Sequence, residues 1–249
     1  MSFLDEIRKI PPVTRFLCGS SLAVSLPVMA QLVQPFSVVF VKEYVTQGLE
    51  VWRPYTSFFF GSSGINYLFE FIMLYRNSLQ LETAHFAGRS ADYAWQLFLA
   101  ALGILALNIP LRSLTHTRPL LLALTYVSAR LAPPGTQTSL FGLLTFPLAY
   151  LPYALLALDF VMGGPRAAAQ SVSGLVVGHL WWWGVWDAGA LRAAGTAPGW
   201  LRRWVGDGPA GGPGMAGTGV HVVPPRARAR EERATTGGYR WGSGRRLGE

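Results

Sequence analysis

Charged side chains and thiols are scarce in this chain of 249 residues. Asp, Glu, Lys and Arg together make up 14% of the sequence, and lysine occurs only at Lys9 and Lys42. The single cysteine, Cys18, excludes both an intrachain disulfide and a cysteine-based zinc site. Hydrophobic residues account for 51% of the chain. This composition is atypical of a soluble domain and predicts a polytopic membrane protein.

The net charge of +8 is concentrated near the carboxyl end of the chain. From residue 192 onwards there are ten arginines against four acidic residues, whereas the rest of the chain is nearly neutral. Because the excess charge belongs to this terminal segment, we expect no nucleic-acid partner. The sequence also predicts neither a metal site nor a cofactor.

Six apolar segments, separated by glycine, proline or charge, predict six transmembrane helices. They cover approximately residues 16–33, 57–79, 94–111, 119–131, 140–162 and 172–186. The first ends in Val28-Met29-Ala30, which also suits a cleaved signal peptide, but its length favours a retained helix. The fourth is short and contains polar residues, so we expect other helices to shield it from lipid.

An even number of spans places both termini on the same side of the membrane. With the amino terminus in the cytosol, sixteen Lys and Arg residues lie inside and five outside, in agreement with the positive-inside rule. From about residue 206 the chain is rich in Gly, Pro and charge without an apolar period, which predicts disorder. We therefore divide the chain into a transmembrane domain, residues 1–190, and a cytosolic disordered basic tail, residues 191–249.

Polar and small residues inside the apolar segments are the first candidates for function. Glu70 is the carboxylate well inside the second segment, and Asn66 lies one turn away on the same helix face. Because an acid in the membrane is costly, it marks either a functional site or a polar contact in a water-lined groove. Both interpretations direct this face towards protein or water. In the sixth segment, Gly174 and Gly178 have the GxxxG spacing that favours close helix packing.

The segment between the first two apolar runs, about residues 34–56, is longer than most connections. Its length predicts a partly folded or functional element. Trp52 suits the headgroup boundary of a membrane, and Arg53 can bind phosphates or carbonyl groups. An ordinary interfacial anchor is the alternative interpretation.

Ser128 and His179 raise the alternative of an active intramembrane serine protease. A nucleophile needs a base within hydrogen-bond reach and an oxyanion site, but Val and Ala stand beside Ser128 where glycines are expected. Labelling of Ser128 by a serine-directed fluorophosphonate would distinguish this alternative. A channel or transporter would be expected to show internal repeats, and the sequence contains none that we recognise.

Several motifs resemble, in order and spacing, those of the derlins, which are catalytically inactive relatives of the rhomboid proteases. The motifs are WRPYTSFFF (52–60), INYLFEFIMLYRNSLQLE (65–82), FAGRSADY (86–93), YVSARLAP (126–133), LPYALLALDFVMGG (151–164) and GLVVGHLWWW (174–183). The resemblance implies an all-α, six-helix rhomboid-like fold in the endoplasmic-reticulum membrane, with a retained first helix and cytosolic termini. It also implies a role in the export of misfolded proteins for degradation, together with a membrane ubiquitin-ligase complex. Trp52-Arg53 and the glycine-spaced sixth helix would then be the functional signatures.

Near the end of the chain, WGSGRRLG (241–248) resembles the SHP box by which some derlins bind the hexameric AAA ATPase of the valosin-containing-protein type. The glycines would let this segment lie as an extended strand on the partner, while Trp241 and Leu247 fill pockets. Ser243 stands where the family more often has glutamine. The oligomeric state is left open, with a homo-oligomer among the alternatives. The implied contact residues are Trp241, Gly242, Gly244, Arg246, Leu247 and Gly248.

Overall fold

A computed structural model describes residues 5, 7, 9–140 and 144–207, and most of these residues are helical. Three stretches are long and apolar enough to cross a membrane, namely Pro12–Met29, Ser90–Asn108 and Leu148–Asp187, which indicates a membrane protein. The helices and strands are α1 (Pro12–Met29), α2 (Pro35–Val38), α3 (Lys42–Thr46), α4 (Trp52–Phe59), α5 (Ile65–Gln80), α6 (Ser90–Asn108), α7 (Thr117–Leu131), β1 (Gln137–Leu140), β2 (Leu144–Pro147), α8 (Leu151–Trp182) and α9 (Gly199–Val205).

The longest helix, α8, consists of two helices that meet at a sharp kink. Gly164 has a φ of 74°, a left-handed conformation that favours glycine, and Pro165 follows it without an amide hydrogen to continue the helical ladder. Residues 151–163 and 165–182 therefore run as separate helices. They correspond to the fifth and sixth apolar segments of the sequence.

The second predicted segment begins too early, because residues 57–60 belong to a separate helix. Helix α4 ends at Phe59 and α5 starts at Ile65. The connection contains Gly61, where a Cβ would lie 2.5 Å from the Tyr67 ring, and Gly64, which has a φ of 67°. The run of phenylalanines before these glycines is apolar enough to resemble part of a span.

The long connection that starts at residue 34 is folded into the helices α2, α3 and α4. Its length predicts such a partly folded element.

The expectation of an all-α domain is wrong at the start of the fifth segment. Strands β1 and β2 form an antiparallel hairpin in which Thr138 faces Phe146 and Ser139 faces Thr145. Thr and Phe are favoured in strands, so local preference here overrides the apolar run that predicted a helix. The helical part of this segment starts only at Leu151.

The predicted boundary at residue 190 is also too early. Residues 191–207 contain α9 and are hydrogen-bonded to α6, with the indole of Trp95 donating to the Ala194 carbonyl at 2.8 Å. The sequence predicts disorder from the Gly- and Pro-rich composition after about residue 206, and residues 191–205 are assigned to the same tail. The folding of residues 191–207 depends on contacts with residues about a hundred positions earlier in the chain, which a local pattern does not contain.

Helix α7 is the most enclosed helix of the described bundle, which confirms that the short fourth segment is shielded. All of its side chains from Pro119 to Ala129 are buried. They pack against a core that includes Leu17, Tyr93, Ile104 and Trp181.

The two ends of the bundle are named by what lies at each. At one end, which we call the loop end, α2, α3 and α4 lie near the start of α7. At the opposite end, which we call the turn end, the Glu82 carboxylate caps α1 by accepting from the backbone amides of Val13 and Thr14 at 3.0 and 2.7 Å.

The second half of α8 lies directly against the backbone of α7. A Cβ built on Gly174 would be 2.0 Å from the carbonyl oxygen of Pro119, and one on Gly178 would be 3.0 Å from that of Ala123. The first distance leaves no room for a methyl group. The two glycines thus face the neighbouring backbone at the GxxxG spacing.

We predict that Gly174→Ala destabilises the folded protein, because the new methyl group would overlap the Pro119 carbonyl. Overpacking of this kind costs about 1–3 kcal/mol. The matched control is Gly19→Ala in α1, where a Cβ has no neighbour within 4 Å. Thermal unfolding in detergent should occur at a lower temperature for Gly174→Ala, and at an unchanged or higher one for Gly19→Ala. Identical midpoints for both variants would contradict the packing.

Candidate functional site

A polar cavity of about 580 Å³ lies near the loop end, between α5, α7 and both halves of α8. Its polar lining consists of Asn66, Thr115, Arg118, Asp159, Gln170 and Ser171. The wall on the side of α8 is completed by Leu158, Met162, Gly163 and Ala167. Residues of three helices thus surround a space large enough to hold water.

Glu70 is buried beside this cavity, and protein groups satisfy its carboxylate. Ser62 donates to it from both its backbone amide, at 2.9 Å, and its hydroxyl, at 2.6 Å. The Arg118 guanidinium forms a 2.7 Å ion pair with the same carboxylate. Asn66 lies one turn earlier and lines the cavity together with Arg118. The structure therefore places both predicted residues on one face, turned towards protein and the cavity.

Arg118 joins three helices at this point. Besides Glu70 on α5, its Nη1 contacts the Asp159 carboxylate on α8 at 2.9 Å. The second oxygen of Asp159 accepts a hydrogen bond of 2.6 Å from the Ser171 hydroxyl, which lies beyond the kink of α8. Because one guanidinium faces two carboxylates, the cluster carries a formal charge of −1. Such a cavity can hold water and accept donors from a polypeptide, such as backbone amides and basic side chains.

The Trp52-Arg53 pair divides into an outward and an inward residue at the start of α4. The Trp52 side chain is 52% exposed, whereas Arg53 is 4% exposed. Arg53 donates to the carbonyls of Phe36 and Val39 at 2.6 and 2.9 Å. It also forms an ion pair with Glu50 and lies over the rings of Phe36 and Tyr44. Arg53 therefore binds carbonyl groups of its own loop and holds the segment that presents Trp52.

A buried hydrogen bond between two side chains connects α4 to the residue before α7. His116, which precedes α7, bonds through Nδ1 to the Ser57 hydroxyl at 3.0 Å, and both side chains are fully buried. Its Nε2 has no hydrogen-bond partner among the described residues. Burial lowers the pKa of His116 to about 4, so the imidazole is neutral near neutral pH. With no exposed face, this Ser–His pair is structural.

Ser128 and His179 are bonded to different residues. The Ser128 hydroxyl donates to the side-chain oxygen of Gln80 at 3.1 Å. His179 shares a 2.7 Å hydrogen bond with the Tyr126 hydroxyl through Nδ1. The nucleophile-to-base hydrogen bond that a serine protease requires does not occur between them in this structure. The predicted ATPase-binding residues, 241–248, lie outside the described residues.

The comparison with protein families decides the assignment. The model of the "Der1-like family" matches residues 10–185. This chain belongs to the Der1-like family. Its curated relatives include Derlin-1 of Homo sapiens, which is 30% identical over 253 residues with 98% of each chain covered. Derlin-1.2 of Zea mays is 28% identical over 206 residues, covering 81% of this chain and 82% of its own.

Two residues of the polar cavity in this Der1-like protein were missed by the sequence analysis. Asp159 lies inside the fifth apolar segment, and the rule that singles out Glu70 as a costly intramembrane acid applies to it equally. Arg118 opens the fourth segment and looks like an ordinary flanking charge. Only the tertiary structure places it between two carboxylates.

We predict that Arg118→Met lowers the thermal stability of the protein, because Glu70 and Asp159 would lose the cation between them. Arg118→Lys should fall between Arg118→Met and the unchanged protein, since one ammonium cannot span both carboxylates as the planar guanidinium does. Adding Asp159→Asn to Arg118→Met should recover part of the loss by removing one uncompensated charge. Unfolding midpoints in nanodiscs measure this order. An Arg118→Met midpoint equal to that of the unchanged protein would refute the bridging role.

Proposed function

We propose that this protein is a derlin without catalytic activity of its own, which assists the passage of misfolded proteins out of the endoplasmic reticulum for proteasomal degradation. Membership of the Der1-like family and the relatives named Derlin-1 support this assignment. The structural observation that carries it is the polar cavity around Arg118, which lies among apolar helices where a polar backbone needs help to cross.

Short helices around the cavity suggest how a polypeptide could cross the membrane at lower cost. Helix α7 has 15 residues. At ~1.5 Å per residue it spans ~22 Å, less than the ~30 Å of a typical hydrocarbon core. The half of α8 that precedes the kink, residues 151–163, is shorter still. This half exposes Phe160, Val161 and Met162, whereas α7 is enclosed. A bilayer that thins to match the exposed half, with water in the cavity, lowers the cost of moving unsatisfied backbone groups across.

The proposed topology has six spans, formed by α1, α5, α6, α7 and the two halves of α8, with both termini in the cytosol. The sequence asymmetry of Lys and Arg supports this direction. The loop end with Trp52 would then face the lumen. The turn end would face the cytosol, where an ATPase and a membrane ubiquitin-ligase complex could act on the emerging substrate.

An active rhomboid-type protease is the second candidate function, and the partners of its two candidate residues argue against it. Ser128 is bonded to Gln80 and His179 to Tyr126. The name Derlin-1 of the relatives also favours a non-catalytic role. Fluorophosphonate labelling of Ser128 in the purified protein would overturn this part of the proposal.

Trp52 is proposed to engage substrate or lipid at the lumenal boundary. We predict that Trp52→Ala blocks extraction of a misfolded substrate while leaving the unfolding midpoint nearly unchanged, because half of its side chain is exposed. Val51→Ala, at an exposed apolar neighbour, is the matched control and should support extraction. For comparison, Arg53→Ala should loosen the loop, because the Arg53 side chain bonds the loop carbonyls. The loop should then be cut more readily by protease. Substrate half-life in cells carrying each variant is the measurement. Normal turnover with Trp52→Ala would contradict the role of this residue.

The carboxyl-terminal WGSGRRLG is proposed to recruit the AAA ATPase. We predict that a peptide of residues 238–249 binds the isolated amino-terminal domain of the ATPase with modest affinity, and that a hexamer facing several tails gains avidity. Trp241→Ala should remove most of the peptide's binding, because truncating a buried aromatic anchor typically costs about 2 kcal/mol or more. Arg240→Ala, immediately before the motif, is the control and should bind nearly as the original does. Calorimetry gives the affinities, and equal binding by the Trp241→Ala peptide would exclude this motif.

A further inference from the structure

After the π-helical turn Trp183–Asp187, the chain folds back onto the start of α6. Gln96 donates to the Gly195 carbonyl at 2.9 Å, and the amide of Ala197 donates to the Asp92 carboxylate at 2.8 Å. The indole of Trp95 donates to Ala194 in the same region. These bonds fix residues 191–198 at the level where the apolar helix α6 begins.

Helix α9 packs on the same surface with its inner face. Leu201 is buried in a small cluster with Ala91 and Ala197. Arg202 forms a 3.0 Å ion pair with Asp92, and Gly206, which has a φ of 87°, follows the last helical residue. Just after the helix, the Asp207 carboxylate accepts a hydrogen bond from the Ala91 amide. The orientation of α9 is therefore set by an apolar contact, an ion pair and this hydrogen bond.

The outer face of α9 combines aromatic and basic side chains. Trp200 is 59% exposed and Trp204 is 81% exposed, and their spacing of four residues places them on one face of the helix. Arg203 is exposed beside them and has no acidic partner among the described residues. Two exposed indoles would be unfavourable in bulk water. At a membrane–water boundary they bury their rings while the N–H groups remain hydrated.

An apolar groove of about 240 Å³ opens between α6 and the second half of α8. Its walls include Leu99, Gly103, Val177 and Leu180, and its turn end is closed by Leu191 and Gly195 of the folded-back segment. Arg192 follows at this rim and donates to the Val185 carbonyl at 2.9 Å. Like Arg203, it lacks an acidic partner within the described residues.

We propose that residues 191–205 and this groove form a binding surface for anionic glycerophospholipids of the surrounding leaflet. An acyl chain occupies the groove, the negatively charged headgroups lie on Arg192 and Arg203, and Trp200 and Trp204 lie at the headgroup boundary. The apolar walls fit a hydrocarbon chain, and the two arginines without acidic partners complement an anionic headgroup. A partner helix in the groove would leave the role of the outward arginines and tryptophans unexplained.

The first test measures lipid binding by the purified full-length protein with native mass spectrometry. Phosphatidylserine should bind more tightly than phosphatidylcholine, and replacing Arg192 or Arg203 by Ala should weaken phosphatidylserine binding about fivefold each. Arg203→Lys should retain the preference, which separates loss of charge from loss of fold. The matched control is Arg166→Ala, at an exposed arginine outside this surface, and it should bind as the original does. Gly103→Leu, which places a side chain in the groove, should weaken both lipids equally.

The second test measures depth in the membrane. Cys18 is the sole cysteine, so Cys18→Ser provides a background for a single label at Trp204→Cys. Brominated lipids in nanodiscs should quench this label and should quench much less a label placed at the exposed Asp187. Equal binding of the two lipids, an unchanged preference after replacement of both arginines, or an unquenched label at residue 204 would each overturn the proposal. Loss of a protein dimer with Gly103→Leu, without loss of lipid, would assign the groove to a second copy instead.

Discussion

The close approach of the second half of α8 to α7 is the constraint on which the rest of the structure depends. Gly174 lies against the carbonyl of Pro119, and the residue before Pro119 is Arg118. One turn before Gly174, Ser171 donates to Asp159 across the kink of α8. The contact of two backbones therefore brings the guanidinium, the carboxylate and the hydroxyl to one place. A bulkier residue at position 174 would separate the groups that form the polar cavity.

The same contact explains why a short, polar helix can exist within a membrane protein. With α8 so near, α7 is enclosed along the whole of residues 119–129, and its Thr125 and Ser128 hydroxyls bond to protein rather than facing lipid. A helix that does not face lipid does not have to match the thickness of the bilayer. The proposed local thinning therefore depends on the short, exposed half of α8 before the kink, residues 151–163, and not on the enclosed α7.

Sequence reasoning succeeds where the signal is local in the chain. The GxxxG spacing identifies Gly174 and Gly178, and the cost of an acid in the membrane identifies Glu70. Sequence reasoning does not reveal the role of Arg118 in the cavity. A basic residue at the start of a span has the same local pattern whether it faces lipid headgroups or two carboxylates. The same reasoning also misreads residues 191–207, whose folding rests on Asp92 and Gln96, about a hundred residues earlier. The hairpin at Thr138 is missed because its apolar residues resemble the start of a helix.

Arg53 is a residue whose importance the sequence indicates but whose partners it does not. The sequence suggests phosphates or carbonyl groups of substrate or membrane as ligands of this guanidinium. In the structure it is buried, and its partners are carbonyl groups of the protein itself, 14 and 17 residues earlier in the chain. A buried arginine on loop carbonyls helps to fix the shape of this segment, together with the buried side chains of Val38, Val39 and Phe40. Exposure of Trp52 is the consequence, since the helix that starts with these two residues has one of them fixed inward. The two ends of the bundle share this arrangement. Arg53 orients Trp52 at the loop end, and the Arg202–Asp92 ion pair orients Trp204 at the turn end. At each end an arginine bonded to protein fixes a helix that carries an exposed tryptophan, and indole is a side chain that membrane–water boundaries favour.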